Sequence, residues 1–232
     1  MTTTRNVLAA LASALVIAGS AAAPPPTASA SPSTCADLGG TVDAAQMCQV
    51  HTETATYTID ISVPLDYPDQ QAVFDYLAQD RADFLKWMTE TGPQQPRNRP
   101  YIHRVTAKTF RSTTATAGTQ SLLLDIDDDT GAAHEGHPNT WYQAFNYDLA
   151  AHAPITFEGL FKPDADPLAV LNPIVERELD APPDALDADA YRNFAITDDA
   201  FVFYFGESQF RPANMGPHHI SVPRDQLAAL LA

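Results

Sequence analysis

The run Thr119-Gln120-Ser121-Leu122-Leu123-Leu124-Asp125-Ile126-Asp127 decides the fold. Leu122, Leu124 and Ile126 recur every second residue, the period of a strand with a buried face. Gly118 marks a turn just before it. Upstream, Tyr101 to Arg111 is strand-like, with Ile102, Val105, Thr106, Thr109 and Phe110. Downstream, Asn139 to Leu149 carries Trp141, Tyr142, Phe145 and Tyr147, residues that suit a pleated surface. Three such runs in succession predict neighbouring antiparallel strands.

Working outward, Thr56 to Val63 alternates Tyr57, Ile59, Ile61 and Val63 with Thr58, Asp60 and Ser62, and Pro64 ends that strand. Asp69 then stands as a helix N-cap before Gln70. Val73, Leu77, Phe84, Leu85 and Met88 follow at helical spacing until Gly92-Pro93 stops the helix. On the other side, Asp166-Pro167 reads as a cap and first-turn proline for a stripe of Leu168, Leu171, Val175 and Leu179. Pro173 interrupts that stripe, so the helix either kinks or begins late at Asn172-Pro173. Phe194–Thr197 and Phe201–Phe205 flank a short hairpin, Ile220–Val222 is a last strand, and Pro223–Leu231 a closing helix. Strands and helices do not alternate regularly. The fold class expected is therefore α+β, a mainly antiparallel sheet with a few packed helices and one disulfide.

The chain has 232 residues, 45% hydrophobic, so it is not a disordered polymer. A formal charge of -16 with no basic cluster argues against nucleic acid and anionic membranes as partners, since both are bound by Lys and Arg displacing counterions. Arg5 followed by the apolar run Val7–Ala18 has the form of a signal peptide core, too short to span a bilayer. Ala28-Ser29-Ala30 is an A-x-A cleavage site, and a cut within Ser20–Ala23 is the alternative. Removing residues 1–30 takes away one arginine and no acid, which moves the charge from -16 to -17. The expected organisation is a signal peptide over 1–30, a flexible leader and disulfide loop over 31–55, and one α+β unit over 56–232. No transmembrane segment is expected after cleavage, and no oligomeric state is implied. Cys35 and Cys48 are the only cysteines, and in an exported protein they form a bridge by default.

Three constellations could carry chemistry. Asp125, Asp127 and Asp129 fit the first acids of a calcium loop, but Thr130 stands where the sharp turn needs Gly and Gly136 where it needs Glu. His134 and His137 are one residue short of H-E-x-x-H, with Gly136 between them and Pro138 after, so helical zinc ligation does not follow; a loop site with the nearby aspartates is the remaining metal reading. Gly206-Glu207-Ser208-Gln209-Phe210 is a half match to a nucleophile elbow after an apolar strand, with Phe210 in place of the second Gly. His218 or His219 would be its base and Asp198 or Asp199 its third member by chain order. The bland readings are an acid-rich strand end, an exposed loop and a polar turn. His51, His103 and His152 read as isolated structural histidines, and Trp87 and Trp141 as core. No phosphate loop, dinucleotide fingerprint or C-x-x-C is present, and no cofactor is expected.

Several segments form an ordered set: Tyr67-Pro68-Asp69-Gln70, Gly118-Thr119-Gln120, Gly136-His137-Pro138, Ala144-Phe145-Asn146-Tyr147-Asp148, Pro154-Ile155-Thr156-Phe157, Asp166-Pro167-Leu168, Asn193-Phe194-Ala195-Ile196-Thr197-Asp198-Asp199 and Val222-Pro223-Arg224. The mature chain resembles the secreted mycobacterial immunogenic protein family, the MPT/MPB antigen group. Its C-terminal part, 118–232, is similar to a domain of the RsiV anti-sigma factor ectodomain. The resemblance implies an exported α+β protein with a β-grasp-like part. It also implies a binding role, because RsiV relatives bind lysozyme, a basic protein that suits an acidic surface. The readings that follow are a non-enzymatic module recognising a basic protein or a cell-wall glycan, and, as alternative, a cell-wall-associated esterase using a serine. Relatives carry Gly where Ala200 stands, so Asp199 is expected to take the left-handed conformation.

Overall fold

The computed structural model describes residues 33–90, 99–113, 118–129, 139–180 and 186–232. Residues 1–30, read as a signal peptide, and His134 and His137 lie outside them. Residues from Pro32 to Ala232 belong to one compact unit.

The chain builds β1 (Thr41–Val42), β2 (Met47–Glu53), β3 (Tyr57–Pro64), α1 (Gln70–Glu90), β4 (Tyr101–Ser112), β5 (Thr119–Asp129), β6 (Asn139–Asp148) and β7 (Ala153–Pro154). These strands form one seven-stranded sheet in chain order. The predicted trio β4, β5 and β6 is antiparallel, with Val105 opposite Ile126 and Ile126 opposite Trp141. One pair is parallel, β3 with β4, and α1 makes the crossover between them. Hairpin β2–β3, then α1, then a parallel strand, is the grasp-like part.

The period of two splits the large sheet into two faces. Leu122, Leu124 and Ile126 meet Ile59, Ile61, Val63 and Val105 under the α1 residues Val73, Leu77, Phe84 and Met88. Leu123 points the other way, to Ala195 and Tyr204 of a second sheet. Asp69 caps α1 as expected, accepting from Ala72 N at 3.2 Å.

The second half adds α2 (Leu168–Leu179), β8 (Phe194–Ile196), β9 (Ala200–Phe205), β10 (His218–Pro223) and α3 (Arg224–Leu227). The last three strands make a small antiparallel sheet, β10-β9-β8. Phe194, Phe201, Phe203, Phe205, Ile220 and Val222 pack under Leu171, Val175 and Leu179 of α2. The layers run α1, large sheet, small sheet, α2. The sheets are tied by side chains: Ser121 Oγ accepts from Ile196 N at 2.9 Å, and Asn146 Nδ2 donates to Phe194 O at 2.9 Å.

Three expectations are changed, the expected disulfide is present, and the alternative left open for α2 is resolved. β1 and β2 extend the sheet into the stretch read as leader and disulfide loop, from Thr41 on. Cys35 and Cys48 are bridged, with Cα atoms 5.7 Å apart, and this tethers the start of the described chain to β2. Gly40 is needed beside the bridge, because a Cβ there would lie 2.8 Å from Cys35 Sγ and 2.9 Å from Val50 Cγ2. α2 starts at Leu168, with Asp166 Oδ1 accepting from Ala169 N, and runs through Pro173. The closing helix stops at Leu227, because the chain then turns to bridge Leu231 with Phe161. Asp199 is not left-handed; the β8–β9 hairpin is closed by Thr197, whose backbone and hydroxyl both bond to Ala200.

Candidate functional site

The feature best equipped for chemistry stands on the α1 face of the large sheet. His103 on β4 and Asp128 on β5 are direct cross-strand partners, and Asn139 on β6 is opposite Asp128. All three lie in phase with buried apolar neighbours, His103 with Tyr101 and Val105, Asp128 with Leu124 and Ile126. Helical spacing brings Asp80, Asp83, Phe84 and Trp87 of α1 over this row. The result is a cavity of about 330 Å³ lined by Asp80, Asp83, Phe84, Trp87, Asp128, Asn139 and Trp141.

His103 is wholly buried at the base. Its Nδ1 is 2.7 Å from Asp128 Oδ1 and its Nε2 3.2 Å from Asp80 Oδ2. The second contact is off the line of a straight hydrogen bond but brings the carboxylate against the ring. The ring stacks on Phe84, centroids 4.9 Å apart. Burial alone would push the His103 pKa down. The hydrogen bonds and charges of Asp128 and Asp80 outweigh it and hold the imidazolium up to about 9. Burial pushes Asp128 upward, and His103 holds it back. Tyr76 is raised to about 12 by burial and the Asp80 charge, against a hydrogen bond from Trp141 that also fixes that indole. Trp87 is held edge-on against Tyr101, centroids 5.3 Å apart.

Three carboxylates face one imidazolium here, so the cleft is net negative and walled by two indoles. It suits a cation or a sugar ring: indole faces attract both, and carboxylates accept from ammonium, guanidinium and hydroxyl groups.

The residues singled out from sequence are dispersed. Asp125 pairs with Lys108 at 3.0 Å, Asp127 accepts from the Thr140 hydroxyl at 2.6 Å, and Asp129 pairs with Arg99 at 2.9 Å. Asp125 and Asp127 point away from α1, opposite to Asp128. Among the described residues no group of three His, Cys, Asp or Glu stands together as metal ligands. Ser208 is exposed in the turn after β9 and has φ 62°, the left-handed region. Glu207 fastens that turn to β6, its N–H donating to Thr140 O at 2.7 Å. His218 begins β10 opposite Phe205, at the same end of the small sheet as Ser208. Burial, then Arg211 and His219, depress its pKa, which favours the neutral imidazole. Asp198 and Asp199 sit at the other end of β9, about 17 Å away by strand rise, so neither orients His218. Asp198 instead accepts from Thr113 N at 2.7 Å, which lowers its pKa.

Asp80, His103 and Asp128 were missed, and His103 is not isolated. The signal was phase: Asp128 continues the Leu122-Leu124-Ile126 face, whereas Asp125 and Asp127 do not. Trp87 and Trp141 pack on the core and also wall the cleft.

The chain is 41% identical over 212 residues to "Esterase Rv3036c" of Mycobacterium tuberculosis, covering 88% of this chain and 91% of that protein. It is 38% identical over 215 residues, with the same coverage, to "Immunogenic protein MPB64" of Mycobacterium bovis and "Immunogenic protein MPT64" of Mycobacterium tuberculosis. The family described as "Protein of unknown function (DUF3298)" matches residues 158–225, from the turn before α2 into α3. A crystal structure of a DUF3298 family protein from Pseudomonas aeruginosa PAO1 shares the fold, with TM-score 0.52 at 13% identity over 82% of this chain and 96% of that one. Among the described residues no helix is long and apolar enough to cross a membrane. The chain belongs to the MPB64/MPT64 immunogenic protein family, of which the esterase Rv3036c is also a relative.

Proposed function

We propose that this is an exported, non-enzymatic binding module of the cell envelope or medium, and that its ligand is a basic protein or a cell-wall glycan held at the Trp87/Trp141 cleft. The observation that carries the reading is the placement of Asp80, Asp83 and Asp128 between two indoles that are only half buried. A net charge of -16 adds a long-range field that speeds encounter with a cationic partner. The signal-like segment 1–30 supports export. The test is retention of the mature protein on immobilised lysozyme, as a basic probe, and on insoluble peptidoglycan. Retention on lysozyme should fall about tenfold between low and high salt, since exposed charges are screened. Trp87→Ala and Asp83→Asn should each weaken whichever ligand is bound by about tenfold, as truncations at the centre of an interface do. Equal retention of both variants would rule out the cleft.

A second reading is an ester hydrolase, favoured by the relative named an esterase and by Ser208, exposed and left-handed near His218, whose neutral form is favoured. Hydrolysis of short-chain p-nitrophenyl esters should then be lost in Ser208→Ala and His218→Ala and persist in Asp199→Asn, because Asp199 lies at the far end of β9. Hydrolysis that survives in Ser208→Ala would remove this serine from the reading.

A further inference from the structure

The small sheet ends in an open edge. Among the described residues β10 pairs only with β9, and the register fixes which groups that pairing uses. On β9, Tyr204 N bonds Asn193 O and Ala200 O accepts from Thr197, so even-numbered residues face β8. Residues 201, 203 and 205 therefore bond to Val222, Ile220 and His218, and Arg224 N continues the series to Asp199 O. The alternation of an antiparallel ladder leaves His219 and Ser221 with N–H and C=O pointing outward. None of these groups has a hydrogen-bond partner among the described residues.

The space outside the edge is a trough and not open surface. It measures about 290 Å³ between β10 and α2, with Ile174, Arg177 and Glu178 on its helix side and Gln226 at its end. Ile220 and Val222 point to the α2 side, into the apolar layer with Val175. His219 points to the opposite side, stacked on Tyr204 with centroids 5.6 Å apart, and does not cover the edge. Edge strands are ordinarily blunted by bulges, charges or a covering element. Within β10 itself, Pro223 at the last position is such a device, and it leaves His219 and Ser221 unblunted.

We propose that the β10–α2 trough binds an extended peptide of a partner protein, which adds a fourth strand to the small sheet. The backbone ladder of His219 and Ser221 supplies register and affinity, and the walls select side chains. Residues of the peptide opposite Ile220 and Val222 face Ile174 and are apolar. Those opposite His219 and Ser221 face away from α2 and are basic, to match the acidic protein. This site is separate from the cleft: it lies on the small sheet, and the cleft on the α1 face of the large one.

The probe is the peptide acetyl-Lys-Val-Lys-Val-Lys-Val-Lys-amide, with a second copy N-methylated at its lysines. On titration, the amides of His219 and Ser221 should shift in heteronuclear NMR and exchange with solvent at least tenfold more slowly. The N-methylated copy should have no such effect. Ser221→Pro removes only an outward N–H, a substitution that edge strands accept, and should lose the peptide while its melting temperature stays near that of the unsubstituted protein. If Ser221→Pro does not fold, the N-methylated peptide decides alone. Three results would overturn the proposal: no protection at His219 and Ser221 at millimolar peptide, equal binding of the N-methylated copy, or concentration-dependent protection without peptide, which would mark the edge as a contact between copies of this chain.

Discussion

Asp128→Ala should destabilise the protein by about 3–5 kcal/mol, the range seen when one partner of a buried ion pair is removed. The cause is specific. His103 keeps its place at 0% exposure but loses the acceptor at its Nδ1, and only the off-line contact to Asp80 remains. The imidazole must then shed its proton or stay charged without a full partner. Asp128→Asn keeps the shape and an acceptor, and should cost less. The same pair sets a pH dependence. His103 is held at about 9 in the folded chain against the ordinary 6.5 of a histidine, so the folded state binds the proton more tightly. The stabilisation is complete below pH 6.5 and is lost as pH rises through 9. It amounts to about 3 kcal/mol by the linkage relation. Urea midpoints measured from pH 6 to pH 10 should fall in the unsubstituted protein, and the fall should flatten in His103→Gln. A slope equal in both would show that other groups dominate.

Phe203→Ala should cost about 3–5 kcal/mol, the range for deleting a buried aromatic ring. Phe203 is at 0% exposure in the centre of the small sheet. Its ring meets Phe157 at 6.3 Å, Tyr191 at 5.4 Å and Phe194 at 6.1 Å, so three aromatic rings surround it. No single neighbour can relax into the hole without leaving the other two. Thermal unfolding should show the midpoint lowered by about 10 °C, from the usual conversion for a domain of this size. Phe203→Leu should recover more than half of that. A leucine variant as unstable as the alanine one would mean that ring geometry, and not filled volume, is what the site demands.

The strands around Leu122-Leu124-Ile126 were legible because one face of each is continuously apolar, and the alternation survives in the folded register. β2 was not legible for the opposite reason. In Met47–Glu53 only Cys48 and Val50 are buried, and Gln49, His51 and Glu53 give the rest a polar character. The closing helix was overextended because Leu230 and Leu231 fit a helical stripe as well as they fit the layer under α2. The cleft needed a fact that no local pattern holds. Asp128 stands in a run of three aspartates; phase puts it on the buried face, but its partner His103 is 25 residues away. Asp80 is further still, and joins through the crossover of α1. Ser208 and His218 could be paired only by chain order, and the register puts both at one end of the small sheet. The separation of Asp199 from them was legible, had the length of β9 been counted.

The order of the large sheet bears on synthesis. Strand neighbours in space are strand neighbours in the chain from β1 to β7. A chain emerging amino end first therefore exposes each strand next to a partner that is already out, and none waits for a distant one. By Pro154 every strand of that sheet is present. Leu123, Ser121 and Asn146 then form a waiting face, and the remaining third of the chain arrives as its cover.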